Sequence, residues 1–428
     1  MKFFLLVVTA IRLVNASPLK ETTDQVQVDG WWEDSPPPGL ETRSVDTGKK
    51  FTLPEVENTN YKDVEFPFQL LRVYYKYNAA PPKKLLRAAR SGMQAEGIQT
   101  GSAPNKPTQY YDAQYVLPVK LGTPGQLTYM NLDTGSSDLW TFSTDTATYQ
   151  QAGHTLYRPK KSTTSKLLQG QAWDISYGDG SGAYGIVYKD KVQIGNTYVQ
   201  SQAVESAQWV SSAIQTDTFS SGLMGMAFKG LNTVYPTKQN TYAENVASSL
   251  ASPVFTANLK KQLPGTYNFG YINKTEYTGS LYYTRSVSEF WEIVVGGYQV
   301  GTGTYKSLSF NALVDTGTTL LLLPQTIVTA YYSKVAGAKY DNEYGAMLFP
   351  CKSTLPDFKF GLGAYRGLVP GNYMNYGPLG DGRCFGGLQS SEGLDWSILG
   401  DILLKAQFVV FNIAARTVGF ANKPLVSS

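Results

Sequence analysis

Two short stretches of this chain share one pattern. Leu132-Asp133-Thr134-Gly135-Ser136-Ser137 is matched by Val314-Asp315-Thr316-Gly317-Thr318-Thr319, and each is followed downstream by an apolar-apolar-Gly step, Leu223-Met224-Gly225 and Ile398-Leu399-Gly400. A lone Asp-Thr-Gly is weak, because Asp and Gly are common in turns. Two copies 182 positions apart, each on an apolar run with hydroxyls after the Gly, imply a duplicated half with one Asp per half. Two carboxylates brought close together cannot both ionise readily: one stays charged and the other keeps its proton. Such a pair can supply the base and the acid that act on one water. The glycine after each Asp-Thr lets backbone approach the carboxylate closely.

Other chemistries are excluded by counting. The 428 residues include one histidine and two cysteines. A Ser-His-Asp site would have to be built on His154, and no Gly-x-Ser-x-Gly stretch exists to use it. His154, in a polar stretch, reads as a loop residue. A zinc site of several histidines or four cysteines is impossible. No metal and no cofactor are expected.

The elements that would carry these residues are mostly strands. Charged residues are only 16% of the chain. With Gly, Tyr, Thr and Ser abundant, that composition leans towards β-rich extracellular proteins. From Tyr110 onward, short β runs alternate with turns. Tyr115 to Leu121 is strand-like, Trp173 to Tyr177 leads into the hairpin tip Gly178-Asp179-Gly180-Ser181-Gly182, and Gln407 to Asn412 reads as a buried strand. Short helices are expected over Tyr242 to Leu250 and over Pro324 to Val335.

The first 107 residues differ from the rest. Lys2, the apolar run Phe3 to Ile11 and Val14-Asn15-Ala16 read as a signal peptide, residues 1–16. No later run reaches about 18 apolar residues, so no membrane span is expected. Residues 17–65 carry a net charge of −6, show little periodicity and are expected to be extended or disordered. Residues 66–107 carry +6, with six basic side chains between Arg72 and Arg90 interleaved with Leu and Tyr. Such a block is either a nucleic-acid or membrane patch or a removable pro-segment, and secretion favours the latter. Ser91 to Pro107 reads as a linker. Cys351 and Cys384 fit an oxidising compartment. Bridged, they would close a loop of 33 steps, worth about 4 kcal/mol by chain entropy. Asn273-Lys274-Thr275 is a glycosylation sequon.

Taken in order, Asp133 to Trp140, the Tyr177 to Ser181 tip, Phe290-Trp291, Asp315 to Thr319 and Ile398 to Asp401 resemble the pepsin-type aspartic endopeptidases, most of all the secreted fungal members, over about residues 108–428. The resemblance implies a mainly β, bilobal pepsin-like fold: two duplicated β lobes with the active-site cleft between them and an N-lobe hairpin flap. The expected boundaries are a pro-segment over 17–107, ending between Ser102 and Thr108, a first lobe over 108–295 and a second over 296–428. Asp133 and Asp315 would be the catalytic pair, and which of them holds the proton stays open. Thr134 and Thr316 would cross-bond the two loops beneath the site, with Gly135 and Gly317 beside the carboxylates. Ser136 and Thr318 would bond the outer oxygens of the two Asp. Tyr177 and Gly178 on the flap would lie over bound peptide, the Tyr177 hydroxyl held by the Trp140 indole, and Phe219 and Leu223 would wall the pocket before the scissile bond. Trp291 reads as core. Asp179 is either a solvated turn residue or a carboxylate that lets Lys be accepted beside large apolar residues. The single cysteine pair matches the bridge of the second lobe.

The function implied is a secreted, extracellular rather than vacuolar, endopeptidase made as a zymogen. Its partners would be protein and peptide substrates and its own pro-segment; it would act as a monomer, with no nucleic acid or membrane partner. Residues 108–428 carry a net charge of only +2, so latency would rest on local contacts, with Lys83, Lys84 or Arg87 facing the two Asp. A catalytically dead homologue would have lost an Asp or altered an Asp-Thr-Gly, and both copies are intact. A two-carboxylate glycosidase would not explain the duplication. A nucleic-acid module would put its charges in a removed piece.

Overall fold

The computed structural model describes residues 51–54, 56–57, 66–88, 112, 114–176, 182–218 and 220–425. An eight-stranded sheet forms the heart of the first half and a seven-stranded sheet that of the second, with a six-stranded sheet drawing strands from both. The architecture is mainly β and bilobal.

The sequence repeat is a repeat of strand pairing. In the first half, Gln126–Asp133 runs parallel to Gly222–Gly225, with Leu132 opposite Met224 and Asp133 opposite Gly225. Gly222–Gly225 in turn pairs antiparallel with Leu139–Thr141, which lies parallel to Thr197–Val210. In the second half, Lys306–Val314 runs parallel to Ser397–Leu399, with Val314 opposite Leu399. Ser397–Leu399 pairs antiparallel with Leu321–Leu323, which lies parallel to Leu388–Ser390. The C-terminal parts of both Asp-bearing strands are buried. Burial on both faces is why they read as continuous apolar runs rather than alternating ones. Each Asp therefore emerges at the end of a rigid strand.

The joining sheet runs Phe51–Pro54, Leu263–Phe269, Val254–Lys260, Gln407–Asn412, Thr417–Asn422, Tyr282–Arg285. Above it sits Trp291, almost fully buried, its ring 5.2 Å from Phe411 and 4.6 Å from Phe228, and its indole N–H donating to Met226 O at 2.9 Å. Trp291 is a core residue, as its apolar context implies. Strand Glu292–Val300 pairs only with second-half strands, so the expected 295/296 boundary falls inside it and the junction is better drawn before Glu292.

Within the 17–65 stretch, expected to be extended or disordered, two pieces are extended strands. Phe51–Pro54 adds an antiparallel strand to Leu263–Phe269, and Val56–Glu57 pairs with Tyr115 and Val116. The reason is partnership: these residues have little periodicity of their own but complete the edges of two sheets. Helices are short, as expected. Tyr242–Val246 begins at a capping box of Thr241 and Glu244, and Gln325–Tyr332 starts from Pro324. Cys351 and Cys384 are bridged. Strands Lys166–Ser176 and Gly182–Ile194 form a hairpin, with Ser176 opposite Gly182. Its tip, including Tyr177, Gly178 and Asp179, lies outside the described residues, as does the expected signal peptide. Among the described residues no helix is long and apolar enough to cross a membrane.

Candidate active site

The two Asp-Thr-Gly loops meet through their threonines. Thr134 N donates to Thr316 Oγ1 at 3.1 Å and Thr316 N to Thr134 Oγ1 at 3.0 Å. Each hydroxyl then donates across to the strand preceding the other Asp, Thr134 to Val314 O and Thr316 to Leu132 O, both at 2.6 Å. All four bonds are buried, so each threonine satisfies one donor and one acceptor of the opposite lobe. That lattice fixes the separation of the loops.

The carboxylates face each other over it. Gly135 N donates to Asp133 Oδ1 at 2.8 Å and Gly317 N to Asp315 Oδ1 at 2.9 Å. The other oxygens are held from outside: Ser136 Oγ donates to Asp133 Oδ2 at 2.6 Å, and Thr318 Oγ1 donates to Asp315 Oδ2. A Cβ on Gly135 would lie 2.6 Å from Asp315 Oδ1, and one on Gly317 would run into the Asp133 carboxylate. Only glycine allows both carboxylates to approach. The structure thus brings together Asp133, Thr134, Gly135, Ser136, Asp315, Thr316, Gly317 and Thr318.

One cation occupies the space between the carboxylates, and it is Lys76 rather than Lys83, Lys84 or Arg87. Its Nζ donates to Asp133 Oδ1 at 2.8 Å, Asp315 Oδ1 at 2.9 Å and Asp315 Oδ2 at 2.8 Å. The Tyr77 hydroxyl donates to Asp315 Oδ2 at 2.6 Å, and its ring sits edge-on to Phe290 and Trp396. Lys76 ends the helix Phe66–Lys76, which is seated by buried Leu70, Leu71, Val73 and Tyr74. Tyr74 reaches across the second lobe, its hydroxyl donating to Glu392 O at 2.6 Å. The later helical turns, 83–88, dock elsewhere: Leu85 and Ala88 pack over Gly345 and Lys84 lies 5.3 Å from the centre of the Tyr340 ring. The basic block alone could not distinguish its lysines. The signal for Lys76 was its place at the end of an apolar helical run, where backbone direction aims it.

Burial and the ions shape the titration of this cluster. Burial raises the Asp133 carboxyl, and the neighbouring Asp315 charge adds to that against the opposing Lys76. Burial also works to raise Asp315, but Lys76 and hydrogen bonds from Asp133, Lys76 and Thr318 outweigh it and hold it down to about 2. With Lys76 in place, charge therefore rests on Asp315 and Asp133 keeps its proton more readily. Burial opposes the charge on Lys76, but the two carboxylates more than compensate and raise its ammonium above the usual range.

The remaining site residues are placed in part. Trp140 is buried, stacked on Trp173 at 6.1 Å. Leu223 stands opposite both Asn131 and Trp140 on the strand beside Asp133. Phe219 lies outside the described residues. His154 is a loop residue whose ring stacks on Phe142 and whose Nε2 lies 2.9 Å from Gln215 O, remote in role from the Asp pair. Asn273 sits in a surface turn, its Nδ2 donating to Glu276 at 3.1 Å.

The family model "Eukaryotic aspartyl protease" matches residues 114–423. Endothiapepsin of Cryphonectria parasitica is 48% identical over 87% of this chain and 90% of its own length. Penicillopepsin-3 of Penicillium janthinellum is 43% identical over 87% and 92%, and aspergillopepsin-1 of Aspergillus oryzae 43% identical over 86% and 94%. With both Asp-Thr-Gly loops intact and cross-bonded, the chain belongs to the eukaryotic aspartyl proteases as a pepsin-type aspartic endopeptidase.

Proposed function

We propose that the chain is a secreted zymogen whose mature form hydrolyses peptide bonds at acid pH through the Asp133–Asp315 pair. The observation that carries this reading is the single ammonium, Lys76 Nζ, held by both carboxylates where a water would have to sit. In the latent form Lys76 and Tyr77 fill the catalytic position and its apolar flank. When the segment leaves, a water takes the ammonium's place. The charged carboxyl accepts a proton from that water, and the neutral one hydrogen-bonds the scissile carbonyl and its developing oxyanion. This division of labour is the general behaviour known for aspartic protease dyads. The threonine lattice holds the two oxygens in place, so little reorganisation is needed during the reaction. No covalent intermediate forms.

The pro-segment runs over 17–107 with its junction between Ser102 and Thr108, behind a signal peptide over 1–16; Asn273 would carry a glycan. Large apolar side chains would flank the scissile bond, with Leu223 and Phe219 as pocket walls and Tyr177 above. Lys would also be accepted through Asp179. Haemoglobin digestion at acid pH tests the reading. Pepstatin, Asp133→Asn and Asp315→Asn should each abolish it, and activity that survives any of them overturns the assignment. In the same assay, Asp179→Ser should cut the rate on Lys peptides far more than on Leu peptides; equal losses would refute that role.

A further inference from the structure

Five residues beyond Asp133, a second pair of carboxyls is buried. Asp138 is 2% exposed and Glu205 is 1% exposed. They share one donor: Asn232 Nδ2 lies 2.8 Å from Asp138 Oδ1 and 2.9 Å from Glu205 Oε1. Thr233 adds its backbone N–H at 2.8 Å and its hydroxyl at 3.0 Å, both to Asp138 Oδ1. Sharing one donor in a buried site, the two carboxyls are better accommodated with one proton between them than with two charges, and burial with the Asp138 charge raises Glu205 accordingly. Glu205 Oε2 is buried with no donor aimed at it, which suits the oxygen that carries that proton.

This cluster is tied to the catalytic loop. Asn232 Nδ2 also donates to Ser137 O at 3.2 Å, Gly225 N donates to Asp138 O at 2.8 Å, and Ala227 N donates to Ser136 O at 2.9 Å. Ser136 in turn holds Asp133 Oδ2. Glu205 stands opposite Trp140 in the parallel pairing of their strands. The charged groups nearby are few: Lys238 faces Asp138, and on the strand of Glu205 the next residue, Ser206, bonds Asp145.

We propose that Asp138 and Glu205 act as a proton-sharing positioning pair for the Asp133 loop, so that loss of their shared proton sets the upper pH limit of the folded, active first lobe. Two buried anions bridged by one asparagine would repel each other and pull Asn232 away from Ser137 O. The directions of titration agree. Burial, then the Asp138 charge, pushes Glu205 well above the usual carboxyl range, and burial lifts Asp138 to about 6 against its hydrogen bonds. A carboxyl raised in the folded state binds its proton more tightly there than in the unfolded chain. Its contribution is complete at low pH and declines as pH rises above the unfolded value near 4.5, through about 6 and beyond.

Glu205→Gln tests this, because the amide can accept from Asn232 and donate to Asp138 with no proton to lose. Thermal unfolding of the full chain is followed between pH 4.5 and pH 7.5, in an Asp133→Asn background that blocks self-processing. The midpoint should fall steeply with pH when Glu205 is present and at most half as steeply in the Glu205→Gln variant. In the otherwise native, processed enzyme, Glu205→Gln should move the alkaline limb of activity up by about one pH unit, as expected when one raised carboxyl is removed from the linkage. Asp138→Asn should act in the same direction, whereas Glu205→Ala should destabilise at every pH. Parallel pH profiles for the Glu205→Gln variant and the chain that keeps Glu205 would overturn the proposal, as would failure of both amide variants to fold at pH 4.5. The unfolding readout does not depend on peptide hydrolysis, so its outcome is separate from that of the proposed function.

Discussion

Lys76 makes three contacts with two carboxylates from a buried position, and its proposed effect on latency is a matter of which charges remain when it is removed. Its ion pairs depend on Asp315, whose carboxyl is held down to about 2. A depressed carboxyl contributes above its unfolded value near 3.8, and the contribution is lost as pH falls through about 2. If the segment inhibits as proposed, acid would release it by protonating Asp315. Lys76→Met keeps most of the side-chain volume but removes the ammonium, so processing should begin at higher pH, by about one unit or more if the lost pairing is comparable to the shift it causes. Gel shortening of purified precursor across pH 2 to 6 measures it. Lys84→Met, at a side chain whose ammonium lies over the Tyr340 ring and not between the carboxylates, should leave the profile in place. At this scale the pair Asp133 and Asp315, with Thr134, Ser136, Thr316 and Thr318, was legible in the sequence because the motif occurs twice. Lys76 was not, because seven lysines and arginines share one short segment and residue type does not reveal direction.

Strands were legible where burial made them continuous, as in Gln407–Asn412, all six residues of which are buried. They were not legible where pairing alone creates them. Phe51–Pro54 and Val56–Glu57 acquire order only by completing sheet edges, and no local pattern announces a borrowed partner. Glu292–Val300 spans the expected 295/296 boundary, because both its partners, the neighbouring Lys306–Val314 and the remote Phe358–Leu362, lie in the second half. The helical turns 83–88 hold by small apolar contacts, Leu85 at 1% and Ala88 at 2% exposure, against a glycine at position 345. Leu85→Lys buries a charge there with no acidic partner supplied. Burying an unpaired charge is costly enough to undock so short an element. Limited proteolysis at pH 7 should then cut the 66–107 region several times faster than in the unaltered precursor, while Asp133 and its loop, seated by the other lobe, stay protected. Unchanged cleavage would mean that helix 66–76 and the strands Phe51–Pro54 and Val56–Glu57 hold the segment without the 83–88 turns.

Across the whole molecule, attraction between a basic segment and an acidic body cannot explain the latency proposed above. The segment 66–107 carries +6, but residues 108–428 carry +2, so the long-range term is repulsive or negligible. What remains is short-range: one ammonium between two carboxylates, one tyrosine hydroxyl, the apolar face of an eleven-residue helix, the packing of Leu85 and Ala88, and the strand pairing of Phe51–Pro54 and Val56–Glu57. Exposed charges more than about 10 Å apart are screened at 0.1 M salt, whereas buried pairs are screened much less. The pH at which the precursor shortens should accordingly move by no more than a few tenths of a unit between 50 and 500 mM NaCl. A whole-surface attraction would give a large upward shift, because salt would loosen the segment before acid did. Such a shift would show that surface charge, not the Lys76 cluster, keeps the enzyme latent.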